Sequence, residues 1–226
     1  MYKIGILSDT HGLLRDDVKD ILSTCNAIIH CGDFHTSGIL EQLKQIAPTY
    51  AVRGNVDKDW ASALPLSLSM ELFGIKFYVI HNKKLLHDEI NDRDIIIYGH
   101  SHKYEEQTIH NQTWLNPGSC GKRRFLLPVT MATASVSENG SYTIERIDFT
   151  DSANGIPSSQ NTAAQSSVHN MKKIVIYVMK QTDKGKSIEE IAKGCQISED
   201  LAAQICRLYV THPGVSADGI LGKMGL

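Results

Sequence analysis

The sequence predicts an α+β fold: an α/β-sandwich of two packed, mixed β-sheets flanked by helices, followed by a small all-α domain. Three observations carry this prediction. Near the N-terminus, short apolar runs alternate with amphipathic segments, the pattern of parallel strands joined by helices. From Ser67 to Asp148, a second set of short strands follows, with Gly-bearing turns. After a polar stretch at 151–170, the periodicity becomes helical throughout.

Each element has a local reason. Tyr2–Leu7 is a buried strand ending at Ser8-Asp9, and Leu14–Cys25 places Val18, Ile21 and Leu22 on one helical stripe. Ala27–Ile29 is a strand, Ile39–Ile46 a helix stopped before Pro48, and Thr49–Val52 a third strand. Ser67–Phe73 and Lys76–Ile80 flank Gly74-Ile75 as a hairpin. A helix is expected over Lys84–Asn91 and a buried strand over Asp94–Tyr98. Tyr104–Ile109, Gln112–Leu115, Thr130–Val136 and Ser141–Asp148 read as antiparallel strands. Asn139-Gly140 reads as a hairpin turn because both residues tolerate φ > 0.

The segment 151–170 is rich in Ser, Asn, Gln and Ala, a linker composition. Beyond it, Ile174, Val175, Val178 and Met179 form an apolar stripe. Ser187 and Glu190 form a capping box, Ser198 caps the next helix, which runs to about Thr211, and a short helix covers Ala217–Met224. The expected organisation is an α+β domain at 1–150, a linker at 151–170 and a helical domain at 171–226.

Composition narrows the function classes. Of 226 residues, 42% are hydrophobic and 21% charged, ordinary globular usage. The net charge of −2 divides into −3 over residues 1–150 (15 basic, 18 acidic) and +1 over 151–226 (8 basic, 7 acidic). Neither part is drawn by bulk charge to nucleic acid or an anionic membrane. No apolar run approaches the ~20 residues of a membrane span. The start, MYKIGILSDTHG, has no signal-peptide pattern, and five Cys without a CxxC pair read as reduced packing thiols, so the expected compartment is the cytoplasm.

Five motifs follow apolar strands: Asp9-Thr10-His11-Gly12, Gly32-Asp33, Gly54-Asn55-Val56-Asp57, His81-Asn82 and Gly99-His100-Ser101-His102. Taken singly, a D-x-H is a turn plus a surface histidine, and a GD or GN is a loop. The ordered set has a different meaning, because strand C-terminal ends converge on one rim of an open α/β sheet. Asp9, His11, Asp33, Asn55, His81, His100 and His102 then offer carboxylate, amide and imidazole donors without a thiol. That chemistry suits Mn, Fe or Zn ions. Seven donors exceed one tetrahedral ion, and two ions sharing a bridging carboxylate would use them all. A two-ion clamp suits in-line attack at phosphorus.

In order and type, these motifs resemble the calcineurin-like metallophosphoesterases. Their short spacing and the Asn116–Ser119 turn (NPGS) are similar to the small, YfcE-like phosphodiesterase branch. The resemblance covers about residues 1–148 and implies the metallophosphoesterase sandwich. It also implies that Asp9, His11 and His102 hold one metal, Asn55, His81 and His100 the other, with Asp33 bridging. Asp33, Asn55 and His81 would be the catalytic set, acting on a small phosphodiester through a hydroxide bridging two divalent ions. Manganese is the first choice, with iron, zinc or nickel as alternatives.

Asn55, Arg123 and Arg124 are the candidate substrate contacts, and Asp57 the candidate support for His100 or another ligand. The chain departs from the family at three points. Val56 stands where many relatives carry a protonating His; His35 is a candidate substitute, with a surface or packing role as the favoured alternative. Asn82 follows His81 where Gly is usual, and should keep a left-handed turn. Lys83 and Lys84 then follow where another His is common.

Ser187–Leu208 resembles a helix-turn-helix, with Ile188, Ile191 and Ala192 facing inward. An alternative function is therefore a DNA-binding regulator, opposed by the +1 charge and by Glu199-Asp200 at the start of the recognition helix. A helical module for self-association, giving a homo-oligomer, or for gating the site is the other reading. A non-catalytic scaffold of the same fold is a third class, opposed by the usable ligand at every metal-motif position.

Overall fold

The computed structural model describes residues 1–86, 90–123, 127–149 and 163–224. The chain divides into two compact units, Met1–Ser152 and Ala153–Leu226. In the first, the described strands are β1 (Tyr2–Leu7), β2 (Ala27–His30), β3 (Thr49–Ala51), β4 (Ser67–Leu72), β5 (Ile75–Ile80), β6 (Ile95–Ile97), β7 (Tyr104–Ile109), β8 (Gln112–Pro117), β9 (Val129–Val136) and β10 (Tyr142–Phe149). Helices α1 (Asp16–Leu22) and α2 (Ser37–Ile46) join the first three strands.

Two mixed sheets result, in the orders β10-β9-β1-β2-β3 and β4-β5-β6-β8-β7. β1, β2 and β3 are parallel neighbours, as the alternation of strand and helix requires, and β9 adds antiparallel to β1. In the second sheet β5, β6 and β8 run parallel, while β4 and β7 pair antiparallel at its edges.

The strand period of two sorts side chains into layers. Ile4 and Ile6 of β1 meet Ile75, Phe77 and Val79 of β5 in the core between the sheets. Leu7, Ile28 and Met131 point outward and are covered by Val18 and Leu22 of α1 and Ile39 and Leu43 of α2. A side chain at Gly5 would overlap Leu22, so this position lets α1 lie close to the sheet. On the outer face of the second sheet, Tyr78, Ile80, Ile96 and Tyr98 are buried against Leu86, Ile90 and Trp114.

Several sequence expectations need correction. The helix expected over Lys84–Asn91 is absent where described: only a 3-10 turn, Lys83–Leu85, forms, and Leu86 and Ile90 lie outside any helix. Their four-residue spacing mimics a helical stripe, but the two side chains serve as a cap on the second sheet. The β4–β5 turn is Phe73-Gly74 and not Gly74-Ile75, because Leu72 pairs with Ile75. Both turn residues have positive φ (55° and 83°), the backbone of a tight two-residue hairpin. Phe73 takes that conformation while stacked on Tyr2 at 4.1 Å.

At the other hairpin only Gly140 has positive φ, within a loop closed by Ser137 and Ser141. Helix α1 is shorter than expected: its first turn follows Arg15, which makes no side-chain cap. Helix α2 ends as predicted, with Ala47 extended before Pro48.

The second unit contains, among the described residues, α3 (Ala163–Thr182), α4 (Ile188–Cys195), α5 (Glu199–Thr211) and α6 (Ala217–Lys223). Helix α3 starts inside the segment read from composition as a linker; 151–162 lie outside the described residues. The capping box of Ser187 and Glu190 is present, and Ser198 and Ser216 cap α5 and α6. Val175, Val178, Ile191 and Ala192 are buried, whereas Ile188 is exposed because it sits in the first turn of α4. No described helix is long and apolar enough to cross a membrane.

Candidate metal centre

The C-terminal ends of β1, β2, β3, β5 and β6 deliver their following loops to one place, and the predicted residues meet there. His11 Nε2 lies 3.2 Å from His102 Nε2 and 3.6 Å from Asp9 Oδ1. Asp33 Oδ2 lies 3.9 Å from His11 Nε2 and 3.4 Å from His81 Nε2. Asn55 Oδ1 is 3.0 Å from His81 Nε2 and 2.9 Å from His100 Nδ1. All seven expected ligands thus join in one continuous cluster. Five of them (Asp9, His11, Asp33, His100 and His102) adopt positive φ. A left-handed backbone costs an L-residue roughly 1–2 kcal/mol, and such strain is typical of functional sites.

Local contacts aim each donor. Asp9 is buried; its Oδ2 accepts from Ser8 Oγ–H at 2.6 Å and from the His100 N–H at 3.1 Å. Its Oδ1 has no hydrogen bond, although His102 Nε2 is 3.1 Å away. A buried carboxylate oxygen left in that state is costly unless a cation takes it. Asp33 follows the same division: Oδ1 accepts from the Val56 N–H at 2.9 Å, and Oδ2 faces the histidines on both sides. His81 donates Nδ1–H to Cys31 O at 2.7 Å, which leaves its Nε2 lone pair directed into the cluster.

Asp9, His11 and His102 form one group able to hold a metal ion, and Asp9, Asp33 and His81 form a second. The donor set and the orphaned Asp9 Oδ1 therefore fit divalent ions.

Charge interactions agree with this geometry. Burial opposes ionisation of Asp9, yet His102 and His11 hold its carboxyl far below the usual range. Burial likewise works to raise Asp33, but His81 keeps it lowered. Burial works to lower His81, and the Asp33 carboxylate outweighs it and raises the imidazole. His100, lacking so close a carboxylate, is lowered by burial and by His81.

Glycines make the close approach possible. A Cβ at Gly54 would overlap Asp33, and one at Gly99 would overlap Ser8 Oγ. Asn116 donates to Gly99 O at 2.9 Å and Ser101 Oγ at 3.0 Å, while Ser119 donates to Asp9 O at 2.8 Å. The NPGS turn thus fixes loop geometry.

Other expectations change. The contacts of Asp57 fall on another candidate ligand, Asp33, and not on His100: its Oδ2 accepts from the N–H groups of Asp33 (3.0 Å) and Gly54 (2.9 Å), and its Oδ1 from His35 N–H (2.9 Å). It ties the Asp33 loop to the Asn55 loop through backbone. Asn82 is extended (φ −115°), so no left-handed turn is required there; its side chain accepts from Lys84 N–H. Lys83 is paired with Glu105 at 2.8 Å and rests 4.5 Å from the Tyr98 ring centre. Arg123 is exposed and does not line the cavity beside Asn55, and Arg124 lies outside the described residues. Cys31 and Cys120 are buried, and burial pushes the Cys120 thiol up to about 12, consistent with packing roles.

Sequence reasoning missed His30. Its Nδ1 accepts from Gly32 N–H at 3.1 Å, its Nε2 meets Thr10 Oγ1 at 3.1 Å, and its ring stacks 3.6 Å from Phe34. It thereby braces the loops carrying Asp9, His11 and Asp33. A histidine ending a buried strand two residues before Gly-Asp was the available signal. Burial pushes His30 down to about 3, so the native state keeps it neutral while the unfolded chain protonates near 6.5. Its contribution to stability is complete above 6.5 and is lost as pH falls toward 3, by about 1.4 kcal/mol per unit. Denaturant titrations of wild type and His30→Asn should therefore diverge in slope over this window. Parallel pH dependences would refute the neutral buried histidine.

The sequence profile of the calcineurin-like phosphoesterase superfamily domain matches residues 2–139. The chain belongs to this superfamily. A probable metallophosphoesterase of Methanocaldococcus jannaschii is 36% identical over 132 residues, spanning 51% of this chain and 67% of the relative. A phosphodiesterase of the same organism is 30% identical over 139 residues, spanning 52% and 84%. Among solved structures, Vps29 of Chaetomium thermophilum aligns with a TM-score of 0.54 at 20% identity, covering 66% of this chain and 99% of that one, a likeness of fold. The match ends within the first unit, so the four described helices of the second lie outside the family domain.

Proposed function

We propose that the chain is a metal-dependent phosphodiesterase. The observation that carries this reading is Asp33: one oxygen is pinned by the Val56 amide and the other is presented to His11 and His81 at once. That is the placement a bridging carboxylate needs. Asp9, His11 and His102 would hold one ion and Asn55, His81 and His100 the other, with Asp9 also near Asp33 and His81. When bound, two divalent ions, manganese first among them, supply positive charge to offset the phosphodiester and a nucleophile at neutral pH.

The chain's own groups set the rest. The Cys31 carbonyl fixes the His81 tautomer, and Asn55 aligns His81 with His100 beside the cavity. Asn55 also offers its amide N–H groups to a phosphate oxygen. No imidazole stands at position 56, and Lys83 is engaged by Glu105 and Tyr98. The site is accordingly suited to esters whose leaving group departs without strong acid assistance. The reading is supported further by the 30%-identical phosphodiesterase.

The test is metal dependence with bis(p-nitrophenyl) phosphate. Chelator-treated protein should be inactive, and Mn²⁺ should restore turnover. Turnover that survives complete removal of metal would overturn the proposal.

A further inference from the structure

Beside His81 and His100 the surface opens into a cavity of about 630 Å³. That volume is in the range of sites that enclose most of a small ligand. Part of its wall is the candidate metal centre itself: Asn55, His81 and His100. Much of the remainder is apolar. Tyr78 and Ile80 of β5 are buried there, while Leu66 and Leu85 stand 73% and 60% exposed.

These two leucines come from separate places in the chain. Leu66 precedes β4, and Leu85 ends the 3-10 turn after His81. Neither belongs to the hydrophobic clusters described above. A single exposed leucine is ordinary, but two delivered to one cavity that shares a wall with catalytic candidates form an apolar shelf at the site. Arg53 lines the same cavity with its Nε–H fixed on Asp57 O at 3.2 Å, so the cavity also has an anchored cation.

We propose that this shelf receives one ester substituent of the phosphodiester, and that Leu66 and Leu85 select a flat aromatic substituent over a small alkyl one. The inference rests on the phosphodiesterase reading. Its occupant follows from continuity: a phosphate engaged by Asn55, His81 and His100 has a substituent that must leave in some direction, and this cavity begins at those residues. Burying an aryl face against two leucines should favour it roughly tenfold, the scale of discrimination available to an apolar pocket.

The test measures binding of diphenyl phosphate and dimethyl phosphate to the Mn²⁺-loaded full chain by calorimetry. Wild type should bind the diphenyl ester at least about tenfold more tightly. In Leu66→Ser/Leu85→Ser the two affinities should converge, whereas Leu66→Met/Leu85→Met should keep the gap; melting temperatures check that each variant is folded. Equal affinities in wild type, or an undiminished gap in the serine variant, would overturn the shelf. Turnover of methyl p-nitrophenyl phosphate separates the two levels. If this small diester is hydrolysed while the aryl preference is missing, the shelf is refuted and the phosphodiesterase reading stands. If no diester is bound or hydrolysed, both fall.

Discussion

Asp33→Asn should lower turnover of an activated phosphodiester by more than about 10³-fold, or roughly 4 kcal/mol of barrier. Altering a group that only orients a metal ligand costs 10–100-fold in affinity or activity. Asp33 is placed to do more than orient: its Oδ2 faces both histidine groups. An amide oxygen keeps a similar shape and can still accept from Val56 N–H, but it removes the charge shared by the two groups. The fold should therefore survive while activity does not. Steady-state kinetics with melting temperature in parallel would check this, and activity within tenfold of wild type would exclude a bridging role.

Asp57→Ala should produce the largest loss of stability, on the order of 3–5 kcal/mol. The residue is buried, 2% exposed, and accepts three backbone N–H bonds. Each buried donor left without a partner costs about 1–3 kcal/mol. Partial relaxation, and water reaching exposed His35, keep the total below the simple sum. Because those amides belong to the Asp33 and Asn55 loops, activity should fall as well; a displacement of about 1 Å can cost 10²-fold. Asp57→Asn retains one oxygen acceptor and should lie between wild type and Ala in both properties. Denaturant unfolding measures the first and turnover the second. A stability change below 1 kcal/mol for Asp57→Ala would show that the loops stand without it.

Together these residues explain what could be read in advance. That the seven candidate residues would meet was legible because each lies on a loop just beyond a strand whose apolar run marks its end, and parallel pairing brings those ends to one rim. The sandwich was legible for a related reason: the period-two alternation in β5 already assigns Phe77 and Val79 to one face and Tyr78 and Ile80 to the other.

What escaped depends on contacts between distant positions. Asp57 was read as support for a candidate ligand without its mode: its partners are backbone amides, among them that of Asp33, 24 positions away in sequence. Leu86 and Ile90 carried a helix-like spacing that tertiary packing turned into a sheet cap. Phe73 entered a left-handed turn that its own preference disfavours, where it stacks on Tyr2. Leu66 and Leu85 gave no signal separately, and only the fold places both beside His81.

Elemental analysis of the purified full chain decides whether two ions share Asp33. Wild type equilibrated with Mn²⁺ should retain about two ions per chain, the complement of a two-metal site. His81→Ala and His102→Ala should each retain about one, and Asp33→Ala fewer than one. Wild type carrying only trace metal, or the same content in all four proteins, would contradict a shared Asp33.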